Sequence, residues 1–292
     1  MKLIDPAGRE IKNLRISVTQ RCNLDCIYCH REGEKSHGNE MSIDRIINIV
    51  ESAAELGINE IKITGGEPLM RDDIVDIVEG ISSVDGIGEI SMTTNGTLLK
   101  NLAKPLKDAG LNRVNIGCDS LHSNGIIEKN RDVILPGLIS ARNVGLTPIK
   151  INMVVLRGIN DHEIWNMIEF AKKYKAVLQL IELIPLRRSI YNKYKFSLDT
   201  VERELHRRAN KINIRNMQAR RQYILDGVTV EVVRLGREFC MGCSRLRITS
   251  DGKIKPCLMR DDNLVDTDNV NIKDLKLLFM EAVSKRGVYY EN

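Results

Sequence analysis

A helix ending that occurs three times in the first half of the chain most constrains the fold. In Glu55-Leu56-Gly57-Ile58, Asp108-Ala109-Gly110-Leu111 and Asn143-Val144-Gly145-Leu146, a glycine follows an amphipathic segment and precedes an apolar residue. Glycine at this position adopts the left-handed conformation that ends a helix, and the apolar residue packs back against it. A β-rich run follows each ending, so the pattern predicts successive βα units and a parallel sheet with right-handed crossovers.

Six short runs of mostly β-branched and apolar residues are the candidate strands of this sheet. They are residues 14–18, 60–64, 89–93, 113–117, 149–154 and 177–182. Six βα units predict an α/β fold in the form of an incomplete (β/α)6 TIM-like barrel. An open doubly wound sheet fits the periodicity almost as well.

The pattern changes after Pro185, and we therefore divide the chain into residues 1–185, the partial barrel, and residues 186–292, a smaller C-terminal region. A basic polar stretch at 187–195 leads to a predicted helix at 198–209. Two short strands, 222–226 and 228–234, meet at Asp226-Gly227, a dipeptide typical of tight hairpins. A last amphipathic helix is predicted at about 272–283.

Composition excludes several classes of protein. The net charge of +5 is mild, and one Trp and four Phe provide few stacking surfaces, so we expect no nucleic-acid partner. The first residues lack the apolar run of a signal peptide, and no stretch approaches eighteen uninterrupted apolar residues. We therefore expect no membrane association and a cytoplasmic location.

Six of the seven cysteines fall into two groups of three. In a reducing compartment, clustered cysteines indicate metal ligands or redox centres rather than disulfides. The first group is Cys22, Cys26 and Cys29, the second is Cys240, Cys243 and Cys257, and Cys118 stands alone as a predicted core thiol.

The first group follows the first predicted strand, at the carboxyl end where active sites of parallel α/β folds assemble. Three thiolates do not complete a tetrahedral zinc site, which normally has four closed ligands. They fit a [4Fe–4S] cluster with one open iron, which is able to chelate a substrate. A structural zinc site and a chance grouping of thiols are the alternatives.

The second group also has three cysteines, and a second open [4Fe–4S] cluster fits it better than zinc. Ser244-Arg245-Leu246-Arg247 comes immediately after Cys243. If this segment is a strand, the two arginines share one face and Leu246 lies on the other. Two guanidinium groups beside a cluster suit phosphate oxygens, so we expect an anionic substrate.

Two motifs resemble those of the radical S-adenosylmethionine (SAM) superfamily. These are the Cys22-x3-Cys26-x2-Cys29 spacing with Tyr28, and Gly65-Gly66-Glu67-Pro68 after the second strand. Within the superfamily the chain resembles the GTP 3′,8-cyclases (MoaA family) of molybdenum cofactor biosynthesis. The segments that carry this resemblance are 14–19, 63–71, 93–96, 157–161 and 239–258.

This resemblance implies two [4Fe–4S] clusters and SAM as cofactors, and GTP as substrate. One cluster cleaves SAM to a radical that abstracts a ribose hydrogen, after which the ribose carbon bonds to guanine C8. The implied electron donor is flavodoxin- or ferredoxin-like, and a homodimer is left open. The implied SAM contacts are Tyr28, Gly66 and Gly117, and the implied GTP contacts are Arg15, Lys62, Thr93, Lys150, Arg245, Leu246 and Arg247.

The sequence departs from the family pattern at four places. Gly117 replaces a serine that contacts SAM, Lys62 stands where many bacterial members have arginine, and Gln179 replaces an arginine. The end of the chain, 288–292, lacks the Gly-Gly tail of bacterial members. The sequence has no G-x4-G-K-[ST] phosphate loop, so scattered cations would have to bind the GTP phosphates.

Two rival functions remain open at this stage. One is a radical enzyme with an auxiliary cluster that acts on a peptide or a tetrapyrrole. The other is a non-catalytic iron–sulfur or zinc protein that carries electrons or binds nucleic acid. Arg245 and Arg247 beside the second cysteine group, and the absence of a longer seven-cysteine C-terminal module, favour GTP over the first rival. Metal analysis would separate the second rival.

Overall fold

The computed structural model describes residues 2–34, 39–123, 125–215, 217–268 and 270–289, and the strands in these ranges form one continuous sheet. The strands are β1 Asn13–Ser17, β2 Glu60–Thr64, β3 Glu89–Thr94, β4 Arg113–Gly117, β5 Lys150–Val155, β6 Val177–Glu182, β7 Lys211–Ile214, β8 Arg221–Leu225, β9 Val228–Val233, β10 Arg245–Ile248 and β11 Ile254–Lys255. The helices are α1 Ile43–Glu55, α2 Ile74–Ser82, α3 Leu99–Asp108, α4 Arg131–Asn143, α5 Ile164–Lys173, α6 Arg188–Tyr194, α7 Asp199–Arg208, α8 Arg237–Met241 and α9 Ile272–Ser284.

The strand order decides between the two predicted architectures. Strands β1 to β6 lie side by side in chain order, and all neighbours among them are parallel. A doubly wound sheet would reverse its strand order at a switch point, and no reversal occurs among these six strands. The prediction of an incomplete six-stranded TIM-like barrel is therefore confirmed.

The three glycine endings hold the helices against the sheet as predicted. Gly57, Gly110 and Gly145 have φ of +87°, +106° and +79°, a region that side-chain-bearing residues rarely adopt. Period-two alternation then separates two faces of the sheet. On β2, Ile61 and Ile63 are fully buried in the apolar core, whereas Lys62 and Thr64 line a cavity on the other face.

The C-terminal region extends the sheet at both ends. Strand β10 pairs parallel with β1, and β9 pairs parallel with β6, while β7–β8–β9 and β10–β11 pair antiparallel. Both predicted segments, 1–185 and 186–292, thus contribute strands to one sheet, and the boundary between them stays a prediction. Among the described residues, every helix is too short or too polar to span a lipid bilayer.

Sequence patterns did not predict two of the C-terminal elements. The basic polar stretch 187–195, for which no element was predicted, contains α6; none of its residues is fully buried, although Ile190, Tyr191 and Tyr194 pack against the small apolar cluster around Tyr28. Strand β7 is also mostly exposed, with a pattern that does not alternate between buried and exposed positions. Strand β7 therefore lacks the hydrophobic periodicity on which prediction depends, and α6 is only seven residues long.

Candidate active site

A cavity of about 960 Å³ lies on the concave face of the partial barrel. Each of the six parallel strands contributes at least one polar side chain to its wall. These side chains include Arg15, Lys62, Thr93, Asn115, Lys150 and Gln179. Both cysteine groups and both arginines of β10 line the same cavity, so the structure brings together almost all of the predicted site residues.

The first cysteine group lies in the loop after β1 and lines the cavity. Cys22 and Cys29 are exposed and Cys26 is half-buried; burial raises the pKa of Cys26 to about 11, although the Lys129 ammonium lowers it. Among the described residues, no three His, Cys, Asp or Glu side chains are arranged to hold one metal ion together. A four-iron cluster takes each thiolate on a different iron, and three cysteines on one loop supply three such thiolates. The donor set therefore fits the cluster.

The Gly65-Gly66 pair packs against the backbone of the loop that carries these cysteines. The Gly66 amide donates to the carbonyl oxygen of Thr19 at 2.7 Å, and a Cβ on Gly66 would lie only 2.3 Å from the carbonyl oxygen of Arg21. The carboxylate of the next residue, Glu67, accepts a hydrogen bond from the backbone amide of Asn95 at 2.6 Å, which ties this turn to the end of β3. Position 66 therefore has no room for a side chain on the loop side, so only glycine fits there. The Gly66 backbone also lines the cavity.

Tyr28 belongs to a buried polar group that sequence analysis did not find. Its hydroxyl donates to Oδ2 of Asp119 at 2.7 Å, and Lys129 Nζ lies 2.8 Å from the same oxygen and 5.2 Å from the Tyr28 ring centroid. Burial alone would lower the pKa of Lys129, but the Asp119 carboxylate outweighs it and raises that pKa. Lys129 is therefore a cation at neutral pH.

Lys129 also occupies the space beside Gly117. A Cβ on Gly117 would lie 3.1 Å from Cδ and 3.3 Å from Nζ of Lys129. The ammonium therefore lies where a side chain at position 117 would extend. Nothing in the local sequence singles out Lys129, which lies in an irregular segment before α4 and reaches Gly117 only through the fold.

Glu32, another residue that sequence analysis missed, lies between two of the predicted substrate contacts. Arg15 Nη1 donates to its Oε1 at 3.1 Å, and Arg247 Nη1 donates to its Oε2 at 2.6 Å. Burial would raise the pKa of Glu32, but these two guanidinium groups hold it far below its usual range. Its position three residues after Cys29 was the available sequence signal.

A second buried carboxylate, Glu231 on β9, gathers three cations at the cavity wall. Its oxygens lie 2.8 Å from Lys150 Nζ, 3.3 Å from Arg215 Nη1 and 3.6 Å from Arg220 Nη1. It also accepts hydrogen bonds from the amides of Gln179 and Gln222. Burial opposes ionisation of Glu231, but the cations, Lys150 first, lower its pKa to about 2.

Several buried polar atoms of the cavity make no hydrogen bond within the described residues. They are Lys62 Nζ, Thr93 Oγ1, Asn152 Oδ1, Arg15 Nε and Arg245 Nε. Burial, followed by repulsion from Arg113 and Arg15, puts the pKa of Lys62 well below its usual range. Buried polar groups are nearly always paired in folded proteins, so these atoms indicate a polar ligand.

The second cysteine group and β10 confirm the predicted alternation. Arg245 and Arg247 both line the cavity, whereas the Leu246 side chain is fully buried in the apolar core and does not reach it. Burial raises the pKa of Cys243, but the charges of Arg286 and Arg245 outweigh it and bring the pKa to about 7. At the chain end, Val288 and Tyr289 line the cavity, and residues 290–292 lie outside the described residues.

Comparisons with known proteins agree with this site. The family model of the Radical SAM superfamily matches residues 16–171, more than half of the chain, and that of Molybdenum Cofactor Synthesis C matches residues 176–291. The solved structure of Streptococcus suis SuiB bound to S-adenosylmethionine has a TM-score of 0.68 and 19% identity. It covers 92% of this chain, which spans 64% of that protein, less than two thirds of its length. The fold and the first cysteine loop thus define a radical SAM protein, a class that uses SAM and an iron–sulfur cluster.

Relatives that match the full length of the chain identify its family within the radical SAM class. The chain is 46% identical to the probable GTP 3′,8-cyclase of Methanothermobacter marburgensis, over 100% of both chains. It is 45% identical to the probable GTP 3′,8-cyclase of Methanothermobacter thermautotrophicus, over 99% of both. The chain belongs to the GTP 3′,8-cyclase family of the radical SAM superfamily.

Proposed function

We propose that the chain is a radical SAM GTP 3′,8-cyclase. It would convert GTP to (8S)-3′,8-cyclo-7,8-dihydroguanosine 5′-triphosphate, the first step of molybdenum cofactor biosynthesis. The observation that carries this proposal is that one cavity contains both cysteine groups and a wall of buried cations. A radical source and an anion-binding wall in the same cavity suit a nucleoside triphosphate.

Basic side chains that keep unused hydrogen-bonding capacity support triphosphate binding. Arg15 and Arg247 share Glu32, and Lys150 shares Glu231, so part of their charge is already neutralised. Lys62 Nζ and Arg245 Nε, by contrast, have no hydrogen-bond partner among the described residues. We assign the substrate's strongest new contacts to Lys62 and Arg245, because each gains a first partner for a buried donor.

The first cysteine group would hold the [4Fe–4S] cluster, which supplies one electron for reductive cleavage of SAM to methionine and a 5′-deoxyadenosyl radical. Gly66, which packs against that loop, would receive the methionine amino group of SAM, and Tyr28, within the loop, would be a second SAM contact. The radical would take the hydrogen from ribose C3′, and C3′ would then bond to guanine C8. A second electron and a proton complete the dihydroguanine product.

The second cysteine group would hold a second [4Fe–4S] cluster, and its open iron would bind the purine. Cys240, Cys243 and Cys257 all line the cavity, and Arg245 lies two residues after Cys243. Because each turnover consumes two electrons, we propose a low-potential donor of the flavodoxin or ferredoxin type. Size-exclusion chromatography with light scattering would test for a homodimer.

Anaerobic turnover with GTP, SAM and a chemical reductant tests the function. We expect 5′-deoxyadenosine to form in a GTP-dependent manner together with a cyclised isomer of GTP, which has the same mass as GTP and is separated from it by chromatography. The Cys22→Ser variant should form neither product. The Cys243→Ser variant should still cleave SAM slowly but give no cyclised nucleotide, because its first cysteine group is intact.

Two results would oppose this function. If GTP neither stimulates SAM cleavage nor is consumed, while the wild-type protein carries intact iron–sulfur clusters, the substrate is not GTP. If metal analysis finds zinc in place of iron after anaerobic purification, the radical chemistry itself is excluded. About eight irons per chain is the expected content for two four-iron clusters.

A further inference from the structure

Three charged residues that the proposed reaction does not use form a buried ion-pair cluster next to the second cysteine group. Asp5 accepts at Oδ2 from Arg9 Nε at 2.6 Å and from Arg286 Nε at 2.8 Å. The three side chains are at most 8% exposed. We call Asp5, Arg9 and Arg286 the arginine clasp.

The clasp donates further hydrogen bonds to the backbone on both sides of the second cysteine group, and Arg9 also donates to the carbonyl oxygens of Gly287 at 2.7 Å and Val288 at 3.3 Å. Arg9 Nη1 donates to the carbonyl oxygen of Cys240 at 2.7 Å, and Arg286 Nη2 donates to that of Cys243 at 2.8 Å. Arg286 Nη1 donates at 2.8 Å to the carbonyl oxygen of Pro256, the residue before Cys257. All three cysteine positions are therefore fixed from one buried cluster.

Asp5 orients both guanidinium groups and is itself held in a tight turn. Its Oδ1 accepts from the backbone amides of Ala7 at 3.0 Å and Arg9 at 2.9 Å. The planar guanidinium forks fix the direction of each donated bond, and charge-assisted bonds in a buried setting resist exchange with water. The cysteine loops, in contrast, contain short elements such as the five-residue helix Arg237–Met241, which buries none of its residues.

We propose that Asp5, Arg9 and Arg286 are positioning residues that preorganise Cys240, Cys243 and Cys257 for cluster binding. The inference rests on the proposed second [4Fe–4S] cluster. The clasp joins the first residues of the described chain to a residue that follows α9, so the second site is complete only when both segments have docked. Cluster insertion at the second site therefore depends on contacts far from the cysteines in sequence.

The test uses the full chain with the first site removed, so that only the second site takes up iron. In the Cys22→Ala, Cys26→Ala, Cys29→Ala background, anaerobic reconstitution should load about four irons per chain. Adding Arg286→Lys or Arg9→Lys keeps the charge but removes the fork, and we expect at least a fivefold fall in retained iron after desalting. Asp5→Asn should have a similar effect, because both arginines lose their common anchor.

Arg45→Lys is the matched control. Arg45 also donates to the C-terminal region, to Thr267 Oγ1 at 2.7 Å and to the Val270 carbonyl oxygen at 3.3 Å, but it contacts no cysteine loop. It should leave the iron content unchanged. The rate at which iodoacetamide alkylates the metal-free background protein gives a second readout, and it should rise several-fold in the clasp variants but not in Arg45→Lys.

A purely structural role would lower loading at both sites. If the clasp instead acts on the second site alone, the clasp variants of the chain with all six ligand cysteines should lose about four irons. They should keep the first cluster and GTP-independent SAM cleavage. If the background protein itself takes up no iron, the proposed second cluster is wrong. If it loads normally and the clasp variants retain the same iron and alkylation rate, the clasp proposal is wrong; equal losses at both sites would also overturn it.

Discussion

Arg247 Nη1 donates a hydrogen bond to Glu32 Oε2 at 2.6 Å, and this bond connects β10, the strand that follows Cys243, to the loop that carries the first cysteine group. Arg15 Nη1 reaches the other oxygen of Glu32 at 3.1 Å, and Thr64 Oγ1 donates to it at 3.0 Å. Glu32 has φ of +53°, a backbone conformation that few non-glycine residues adopt. This conformation directs the Glu32 side chain towards the two arginines. The two cysteine regions are thus joined through one buried carboxylate.

Glu32→Gln should destabilise the fold strongly. The glutamine keeps one acceptor oxygen but removes the negative charge, which leaves the buried guanidinium groups of Arg15 and Arg247 without a counterion. Breaking a buried ion pair in this way typically costs about 3 kcal/mol. Urea unfolding of the metal-free protein at pH 7 measures the loss.

The control for Glu32→Gln is Glu40→Gln, which removes an ion pair with the half-exposed Arg21 and should cost about 0.5 kcal/mol. Because the folded pKa of Glu32 lies below its unfolded value, its stabilisation is present above about pH 4.3 and is lost as the pH falls below that value. The variant should lack this part of the acid sensitivity. Equal losses for the two variants at pH 7 would contradict the assignment.

GTP binding should weaken as the pH rises through about 8. Burial lowers the pKa of Lys150 to about 8, and repulsion from Arg215 and Arg220 adds to the shift, although Glu231 opposes it. If only the ammonium form binds phosphate, the affinity should fall roughly fivefold between pH 8 and pH 9. Anaerobic calorimetry with GTP measures the dissociation constant across this range.

Lys150→Arg is the control for this pH dependence, because a guanidinium stays charged throughout the range. Its GTP affinity should fall less than that of the wild-type protein between pH 8 and pH 9. The same shift has a consequence for stability: the folded chain releases this proton at lower pH than the unfolded chain, so the contribution of Lys150 to stability rises between about pH 8 and pH 10.4. A wild-type affinity that does not change with pH would refute the role of Lys150 as a titrating phosphate contact.

Side-chain alternation and cysteine spacing predicted the parts of the site that depend on a single strand or a single loop. Alternation along 245–247 predicted that two arginines share a face, and the cysteine spacing predicted both cysteine loops. Glu231 could not be found in this way, because its role depends on the pairing of β9 with β6, two strands that lie about fifty residues apart in sequence. Lys129 and Glu32 lie in irregular segments, where no period indicates which residues meet.

Lys129 should contribute to SAM binding. Its ammonium lies beside Gly117 and over the ring of Tyr28, where the family's usual serine hydroxyl is absent. Lys129→Met removes a charge-assisted contact worth about 1.5 kcal/mol, so SAM affinity should fall at least about tenfold. Equilibrium binding of SAM to the anaerobically reconstituted protein measures the change.

Two further variants separate the charge of Lys129 from its packing. Lys129→Arg keeps a cation next to Asp119 and should lose less affinity than Lys129→Met. Lys173→Met provides the matched control, since Lys173 also lies over a tyrosine ring, that of Tyr174, but far from the cavity wall. Unchanged SAM affinity in Lys129→Met, with an intact first cluster, would exclude Lys129 from the SAM site.

Gly66→Ala should disrupt the SAM site through a single methyl group. The backbone of Gly66 lies in a region that alanine adopts, so the cost comes only from the new Cβ, which would lie 2.3 Å from the Arg21 carbonyl oxygen and 2.7 Å from that of Gln20. These are backbone atoms of the loop that leads into Cys22, so the loop must shift, at a cost of about 2 kcal/mol. Gly88→Ala is the control, because its Cβ would meet nothing closer than 3.7 Å. We expect SAM affinity and first-cluster iron to fall in Gly66→Ala alone; equal behaviour of the two variants would show that the close approach of Gly66 to this loop does not shape the site.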